Sequence, residues 1–272
     1  MNSKREIQLL VISDVHLGTF GCHAKELLHY LKTVNPKTLV LNGDIIDMWN
    51  FSKSYFPSSH MDVIRHIMKM AGRGTIVYYV TGNHDEMLRK YTDLELGNLE
   101  IVDKLLLTLD GKKAWIFHVD VFDSTTKGYA KLLAKLGGKG YDLLILINRF
   151  VNQLLKLFGR DKMSFSKKVK DGVKKAVAFI NNFENTAAEI AIEKKYDYVV
   201  CGHIHMPQIK EVKTEKGTVM YLNSGDWVEN LTSLEYNDGA WKIFNYEKDY
   251  LNLIYSIDNL EQEDIVSKIL AS

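Results

Sequence analysis

Apolar runs that predict strands alternate with helical apolar stripes along the first hundred residues. Ile7 to Ser13 is a largely apolar run with a polar end, typical of a central strand buried on both faces. His23 to Val34 has helical spacing and ends before Asn35-Pro36, because proline cannot continue a helix. The same pattern predicts the strand Thr38 to Leu41, the helix Ser58 to Ala71 and the strand Ile76 to Val80. Such strand-loop-helix units in series indicate a sheet with helices on its faces.

Beyond residue 99 the pattern predicts mainly strands, with a long helical segment between them. The predicted strands are Leu105 to Leu109, Ala114 to Phe117, Tyr198 to Cys201, Val219 to Leu222, Ser233 to Tyr236 and Trp241 to Tyr246. Residues 127–194 have helical periodicity, and Glu261 to Leu270 is typical of a terminal helix. Because no repeat or linker divides the chain, we expect residues 1–272 to form one domain with a helical lid insertion at about 127–194.

The composition is that of a soluble globular protein with an uneven distribution of charge. Hydrophobic residues make up 46% and charged residues 25% of the 272 residues, which allows a sizeable core. The formal net charge is +1, but residues 127–180 carry +10 and the rest of the chain carries −9. This basic block suggests an anionic partner, such as a phosphate-bearing lipid, a membrane surface or nucleic acid.

The cysteines and the start of the chain favour a cytoplasmic location. Cys22 and Cys201 give no disulfide framework, which suits a reducing compartment. The first residues lack the apolar region and the cleavage site of a signal peptide, and no window of ~18 residues is continuously apolar. We therefore expect a cytoplasmic protein.

Clusters of Asp, His and Asn follow five of the predicted strands. These residues are Asp14, His16, Asp44, Asp47, Asn83, His84, Asp85, His118, His203 and His205. Carboxylate, amide and imidazole groups suit a borderline divalent metal such as Mn²⁺, Fe²⁺ or Zn²⁺. Residues two apart, such as Asp14 and His16, point the same way on an extended chain, so both can reach one site.

One of these elements alone is weak evidence for a metal site. An isolated D-x-H or G-D occurs by chance in many proteins. A lone histidine at a strand end, such as His118, is more often a core residue than a ligand. G-N-H-D and G-H-x-H are rarer. Five such elements in order, each at the end of a predicted strand, favour a metal centre over coincidence.

Together the motifs resemble those of the calcineurin-like metallophosphoesterase superfamily, over about residues 7–124 and 198–227. The resemblance implies an α/β fold, a four-layer α/β/β/α sandwich, with a dinuclear metal site. The implied ligands are Asp14, His16 and His205 for the first metal, Asn83, His118 and His203 for the second, and Asp44 as the bridge. Mn²⁺ is the expected metal, with Fe²⁺ or Zn²⁺ as alternatives.

The implied chemistry is phosphoester hydrolysis by a metal-bridging hydroxide. Two cations about 3.5–4 Å apart acidify a bridging water and clamp the phosphoryl oxygens for in-line attack. We expect His84 to protonate the leaving group rather than to bind metal, with Asp47 holding its tautomer. Asn83 is also expected to contact substrate. Asp120 and Asp123 stay open between a supporting role at the site and a structural role in their loop.

Within the superfamily, the chain most resembles UDP-2,3-diacylglucosamine hydrolases of lipid A synthesis. The features that carry this likeness are the opening VISDVHLG, G-D-x-x-D followed by Trp49, and a helical insertion between His118 and G-H-x-H. It implies cleavage of the pyrophosphate of UDP-2,3-diacylglucosamine or a related lipid-linked nucleotide sugar, and peripheral association with the inner face of the membrane. The insertion would shelter acyl chains, and Lys167, Lys168 and Lys170 would face phosphates. The alternative for these lysines is a solvated helix face.

Two residues depart from the pattern of these hydrolases, which leaves other functions open. His84 stands where they carry Arg, although His is the general residue of the superfamily. Val119 stands where members usually have glycine, and its β-branched side chain could narrow the site.

One alternative function is that of a broader phosphodiesterase, phosphomonoesterase or nucleotide pyrophosphatase. Another is a non-catalytic protein-binding scaffold on the same fold, against which stands the complete set of site residues. Nucleic acid is not an expected partner, because no capping domain for DNA is evident after residue 230.

Overall fold

The computed structural model describes residues 4–48, 55–118 and 167–249. The strands are β1 (Arg5–Ile12), β2 (Val34–Asn42), β3 (Ile76–Val80), β4 (Glu95–Leu96), β5 (Leu99–Val102), β6 (Lys104–Leu109), β7 (Lys112–Phe117), β8 (Tyr198–Cys201), β9 (Gln208–Thr214), β10 (Gly217–Asn223), β11 (Thr232–Asn237) and β12 (Ala240–Asn245). The helices are α1 (Ala24–Thr33), α2 (Ser58–Ala71), α3 (Lys167–Glu193) and a 3₁₀ helix at Glu86–Tyr91. The predictions for Trp49, Val119, Asp120, Asp123, residues 127–166 and the terminal helix lie outside the described residues.

Helices α1 and α2 cover one face of a seven-stranded sheet with the order β12-β11-β1-β2-β3-β5-β4. Its strands β1, β2 and β3 are parallel, so their carboxyl ends meet at one edge. Side chains of β1 alternate between two cores, because successive residues of a strand point to opposite faces. Leu10 and Ile12 pack in the core with α1 and α2, whereas Leu9 and Val11 face the second sheet.

The second sheet has five strands in the order β6-β7-β8-β10-β9. Ala114 and Ile116 of β7 share a core with Leu9 and Val11 of β1. Trp115 and Phe117 of β7 face the other way and pack against buried side chains of α3. The layers are therefore helices, sheet, sheet and helix, which confirms the predicted four-layer α/β/β/α sandwich. Strands β7, β8 and β10 are parallel, so their carboxyl ends also meet.

Most predicted elements are confirmed, and α2, β3 and β8 have the predicted bounds. The predicted end of the helix before Asn35-Pro36 is confirmed, since α1 ends at Thr33. The next strand begins earlier than predicted, because β2 starts at Val34 and includes both residues. The carbonyl of Pro36 points towards β3, where it accepts a hydrogen bond from Thr75, and pairing with β3 begins only at Thr38. The N–H that proline lacks is therefore not needed in the ladder at this position.

Three observed strands, β4, β5 and β9, have no counterpart in the prediction. Within the described ranges, no helix combines the length and the apolar character that crossing a bilayer requires.

Candidate metal centre

Loops at the carboxyl ends of five strands carry the residues expected to bind metal. They are Asp14 and His16 after β1, Asp44 after β2, Asn83 after β3, His118 after β7, and His203 and His205 after β8. Positive φ angles, from 52° to 66°, occur at Asp14, His16, Asp44, His203 and His205. Non-glycine residues rarely adopt this region, and such strain gathers at functional sites.

Donor atoms of six of these residues, together with one of His84, form three close groups. The groups are Asp14–His16–His205, His16–Asp44–His84 and Asp44–His118–His203, each with donor atoms within 4.8 Å of one another. The first and third contain residues expected to hold the first and the second metal. Asp44, the expected bridge, belongs to two groups. The group that includes His84 was not expected.

Backbone amides hold the two central carboxylates in place. Asp44 Oδ1 accepts the N–H of His84 at 2.7 Å. Asp14 Oδ2 accepts the N–H of His203 at 3.0 Å. The N–H of His16 donates to the carbonyl of Asp44 at 2.9 Å, which joins the loops after β1 and β2. Each carboxylate therefore has one oxygen on a backbone amide and the other directed at the imidazoles.

Hydrogen bonds to the backbone also orient the imidazoles. His118 Nδ1 donates to the carbonyl of Asn42 at 2.7 Å. Its Nε2 consequently faces Asp44 Oδ2 at 3.2 Å and Asp14 Oδ1 at 3.8 Å. His205 Nε2 lies 3.1 Å from the same Asp14 oxygen. The contact through one ring nitrogen fixes which nitrogen is left for a metal.

The site fits a divalent cation. Several of its buried polar atoms lack a hydrogen-bond partner of regular geometry, namely Asp14 Oδ1, Asp44 Oδ2, Asn83 Oδ1, His118 Nε2 and His205 Nε2. Buried polar atoms are normally satisfied, so a cluster of exceptions calls for a ligand that joins them. Carboxylate, amide and imidazole donors match Mn²⁺, Fe²⁺ and Zn²⁺.

Opposite charges shift the pKa values of the buried groups. Burial raises the pKa of Asp14, but the imidazoles of His205 and His118 outweigh it and lower the pKa to about 2. Burial lowers the pKa of His118 and His205, but Asp44 and Asp14 outweigh it, so the pKa of His118 rises to about 10 and that of His205 to about 9. Without a metal, the carboxylates therefore favour the positively charged imidazolium form of both histidines at neutral pH. Their positive charge takes the place of a cation beside the carboxylates.

Asp47 lies between two histidines of the site. Its Oδ1 is 3.0 Å from Nδ1 of His84, the residue whose tautomer it is expected to hold. Its Oδ2 forms a hydrogen bond of 3.2 Å with Nδ1 of His16. The second contact was not predicted, and it gives Asp47 a position to orient an expected metal ligand as well as the expected acid.

Two buried carboxylates at the site had no predicted role. Asp85 accepts the N–H of Gly82 at 2.6 Å and that of Ile45 at 2.9 Å, which ties the loop after β3 to the loop after β2. The signal for Asp85 was present in G-N-H-D. Asp226 follows β10 and lies 3.7 Å from His205 Nδ1. Asp226 directly follows Asn223-Ser224-Gly225, and no motif in the sequence predicted a role for it.

Lys167, Lys168 and Lys170 lie at the beginning of α3. The structure describes the backbone here and not the side chains, so their contact with phosphate stays a prediction.

Comparison with known proteins finds a matching family model and similar hydrolases. The family model described as calcineurin-like phosphoesterase matches residues 7–207. The chain is 23% identical over 245 residues to a UDP-2,3-diacylglucosamine hydrolase of Aliivibrio fischeri, with 88% of this chain and 98% of that protein covered. It is 24% identical over 238 residues to a UDP-2,3-diacylglucosamine hydrolase of Blochmanniella pennsylvanica, with 85% and 93% covered. A solved structure of Yfce, a phosphoesterase from E. coli, matches with a TM-score of 0.45 at 13% identity, covering 88% and 93%.

Proposed function

The chain belongs to the calcineurin-like phosphoesterase family and is a metal-dependent phosphoester hydrolase, and from this premise we propose that it hydrolyses the pyrophosphate of UDP-2,3-diacylglucosamine or a related lipid-linked nucleotide sugar. The reaction would use two divalent metal ions, with Mn²⁺ as the expected metal. The observation that carries the proposal is the pair of compact donor groups, Asp14–His16–His205 and Asp44–His118–His203.

Each donor group would hold one metal. The proposed ligands are Asp14, His16 and His205 for the first, Asn83, His118 and His203 for the second, and Asp44 for both. Support for a bridging Asp44 comes from its presence in two donor groups, one with His16 and the other with His118 and His203. When bound, two such cations supply Lewis acidity towards the phosphoryl oxygens and an activated water for in-line attack.

His84 is proposed as the general acid. Its ring is 1% exposed, and Nδ1 lies 3.0 Å from the Asp47 carboxylate. With Nδ1–H directed at Asp47, a second proton on Nε2 would make the imidazolium, and Nε2 would pass that proton to the leaving oxygen, as general acid catalysis requires. Because a donor atom of His84 also lies near His16 and Asp44, a ligand role is the competing assignment.

Similarity to named hydrolases supports the lipid-linked substrate. The likeness extends over most of both chains, at 23–24% identity. The basic block at residues 127–180 supplies charge for phosphates or an anionic membrane surface, and Lys167, Lys168 and Lys170 are the proposed contacts. A cytoplasmic protein bound peripherally to the inner face of the membrane is therefore part of the proposal.

A broader phosphodiesterase, phosphomonoesterase or nucleotide pyrophosphatase is the second candidate. The observation that favours it is His84, which stands where the resemblance to the lipid A hydrolases predicts Arg. A different residue beside the leaving group allows a different leaving group.

The test is an activity panel with Mn²⁺ that compares UDP-2,3-diacylglucosamine with simple aryl phosphodiesters. Turnover of the lipid substrate is expected, and turnover of the aryl substrates alone would contradict the lipid assignment. His84→Ala is the matched control, with an expected loss of about 10²- to 10⁴-fold in kcat. Its metal content is expected to equal that of the wild type, and loss of one metal would make His84 a ligand instead of the acid.

A further inference from the structure

A buried carboxylate in the turn after β10 has no part in the proposed reaction. Asp226 is fully buried. Its Oδ1 accepts the backbone N–H of Val228 at 2.8 Å and of Asn230 at 3.1 Å, together with that of Glu229. Such a local side-chain-to-backbone cap fixes the orientation of a carboxylate. Its other oxygen, Oδ2, accepts the side-chain amide of Asn230 at 2.5 Å and lies 3.7 Å from His205 Nδ1.

The imidazole of His205 consequently stands between two carboxylates. Its Nε2 is 3.1 Å from Asp14 Oδ1 on the side of the site, and its Nδ1 faces Asp226 on the far side. A neutral imidazole that binds a metal through one nitrogen carries its proton on the other. Metal-bound histidines usually direct that proton at a carboxylate, a carbonyl or water. Asp226 Oδ2 lies on this side of His205 at 3.7 Å, beyond direct hydrogen-bond distance and within range of a charge interaction.

The same turn also holds the backbone of two proposed ligands. The side-chain amide of Asn230 donates to the carbonyl of His205 at 2.8 Å. The N–H of Trp227 donates to the carbonyl of Asp14 at 3.1 Å. The Trp227 contact is independent of the Asp226 carboxylate, whereas the Asn230 amide joins that carboxylate to the backbone of His205. Both contacts connect the turn to residues proposed for the first metal.

The second site is supported differently. His118 directs its Nδ1 at the neutral carbonyl of Asn42, at 2.7 Å. A carboxylate behind the ring makes the imidazole a stronger donor to a cation than a neutral carbonyl does. The geometry thus gives the two sites unequal support, with a negative charge behind His205.

We propose that Asp226 is a positioning residue that orients His205 and selectively strengthens binding of the first metal ion. The inference rests on the proposed metal-binding roles of Asp14, His16 and His205, and it requires nothing of the substrate.

The test is titration of the metal-free, full-length protein with Mn²⁺, followed by calorimetry and by electron paramagnetic resonance. His205→Ala and His118→Ala identify the two sites, because each removes a ligand of one. Asp226→Asn is expected to weaken the first site by about 10- to 100-fold and to leave the second unchanged. Asn230→Ala keeps the carboxylate but removes the amide that donates to Asp226 Oδ2 and to the His205 carbonyl, so it is expected to weaken the first site less than Asp226→Asn does.

A double-mutant comparison separates positioning from general damage. If Asp226 acts through His205, Asp226→Asn has no further effect on Mn²⁺ binding in the His205→Ala background. Unchanged affinities, equal weakening of both sites or a further loss in that background would each overturn the inference. If Asp226→Asn does not fold, the test uses Asp226→Ser instead, because serine keeps an oxygen for the backbone N–H groups. If neither variant folds, the role of Asp226 is purely structural. A wild-type protein that binds no divalent metal would refute the proposed function itself, and this inference with it.

Discussion

At the scale of single residues, close backbone approach determines which side chains the site accepts. A Cβ atom on Gly202 would lie 2.6 Å from His118 Nδ1 and 3.0 Å from the carbonyl oxygen of Asn42. These two atoms form the hydrogen bond that orients His118. Gly202 is therefore needed for space, because any side chain there displaces a proposed metal ligand.

Gly202→Ala is accordingly expected to weaken Mn²⁺ binding at the second site by about 10-fold or more, as loss of a ligand's orienting partner does. Mn²⁺ titration of the metal-free protein measures the effect. Gly72→Ala is the control, because Gly72 has φ −64° and a Cβ there would meet its nearest neighbour at 3.5 Å. Wild-type Mn²⁺ affinity in Gly202→Ala would show that His118 does not depend on this contact.

The raised pKa values of His118 and His205 predict that metal binding releases protons. Both imidazoles are protonated at pH 7 without metal, because their pKa values are about 10 and about 9, and a metal replaces those protons. Metal affinity is therefore expected to rise with pH towards these values. At pH 7, calorimetric heats of Mn²⁺ binding should differ between buffers of low and high ionisation enthalpy, by an amount equal to about two protons. His118→Ala should release one proton fewer, and equal heats in all buffers would contradict the prediction.

At the scale of elements, strands with buried faces could be predicted and exposed strands could not. Strand β1 alternates between two cores, so its apolar run is visible in the sequence. Strand β9 lies at a sheet edge and has no buried residue, although it pairs with β10 along its whole length. A hydrophobic pattern reports burial, whereas backbone pairing leaves no trace in it. The early start of β2 was missed for a related reason, since the strand tolerates Pro36 only because pairing with β3 begins at Thr38.

The site shows the same limit. Residue types and spacing identified the groups that the structure brings together, from Asp14 and His16 to His203 and His205. The supporting contacts could not be predicted, because they join loops that only the fold places side by side. Asp226 meets His205, and Asp47 meets His16, across such loops.

A charged contact joins β11 to the start of β1 and to α1, beside the backbone ladder of β1 and β11. The carboxylate of Glu235 accepts hydrogen bonds from Arg5 at 2.7 and 3.0 Å and from the Tyr30 hydroxyl at 2.6 Å. Arg5 is partly exposed and can contact water, whereas Tyr30 is fully buried. The Tyr30 hydroxyl is therefore the partner that depends most on Glu235.

Glu235→Leu is expected to lower the free energy of unfolding by about 2–3 kcal/mol, since it leaves a buried hydroxyl without its acceptor. Urea unfolding of the metal-free protein measures this. Tyr30→Phe removes the hydroxyl, and the double variant should lose less stability than the two single variants combined. Simple additivity would mean that the hydroxyl and the carboxylate are not coupled.

At the scale of the whole molecule, the residues of the candidate metal centre and the basic residues come from different parts of the chain. The site draws on loops from both sheets, after β1, β2 and β3 in one and after β7 and β8 in the other. The basic block at residues 127–180 is separate in sequence, and the remaining chain is acidic, with a charge of −9. A net charge near zero therefore conceals a basic segment and an acidic remainder, and the basic segment favours an anionic partner.

This charge distribution predicts binding to anionic membranes. Each Lys near an anionic surface contributes about 1 kcal/mol. Lys167→Gln, Lys168→Gln and Lys170→Gln in one variant should therefore weaken binding to vesicles that contain anionic lipid by roughly 100-fold. Co-sedimentation with vesicles measures the partition, and added salt should weaken wild-type binding because it screens exposed charges.

The control for that variant removes three exposed lysines elsewhere. Lys104, Lys112 and Lys113 lie on the β6–β7 hairpin, and their change to Gln lowers the net charge by the same amount. If the attraction comes from the three lysines at the beginning of α3, this control binds anionic vesicles nearly as the wild type does, since the surface potential of the membrane falls off within a Debye length. Equal weakening in both variants would assign the effect to net charge. Equal binding of the wild type to neutral and anionic vesicles would contradict an electrostatic membrane contact altogether.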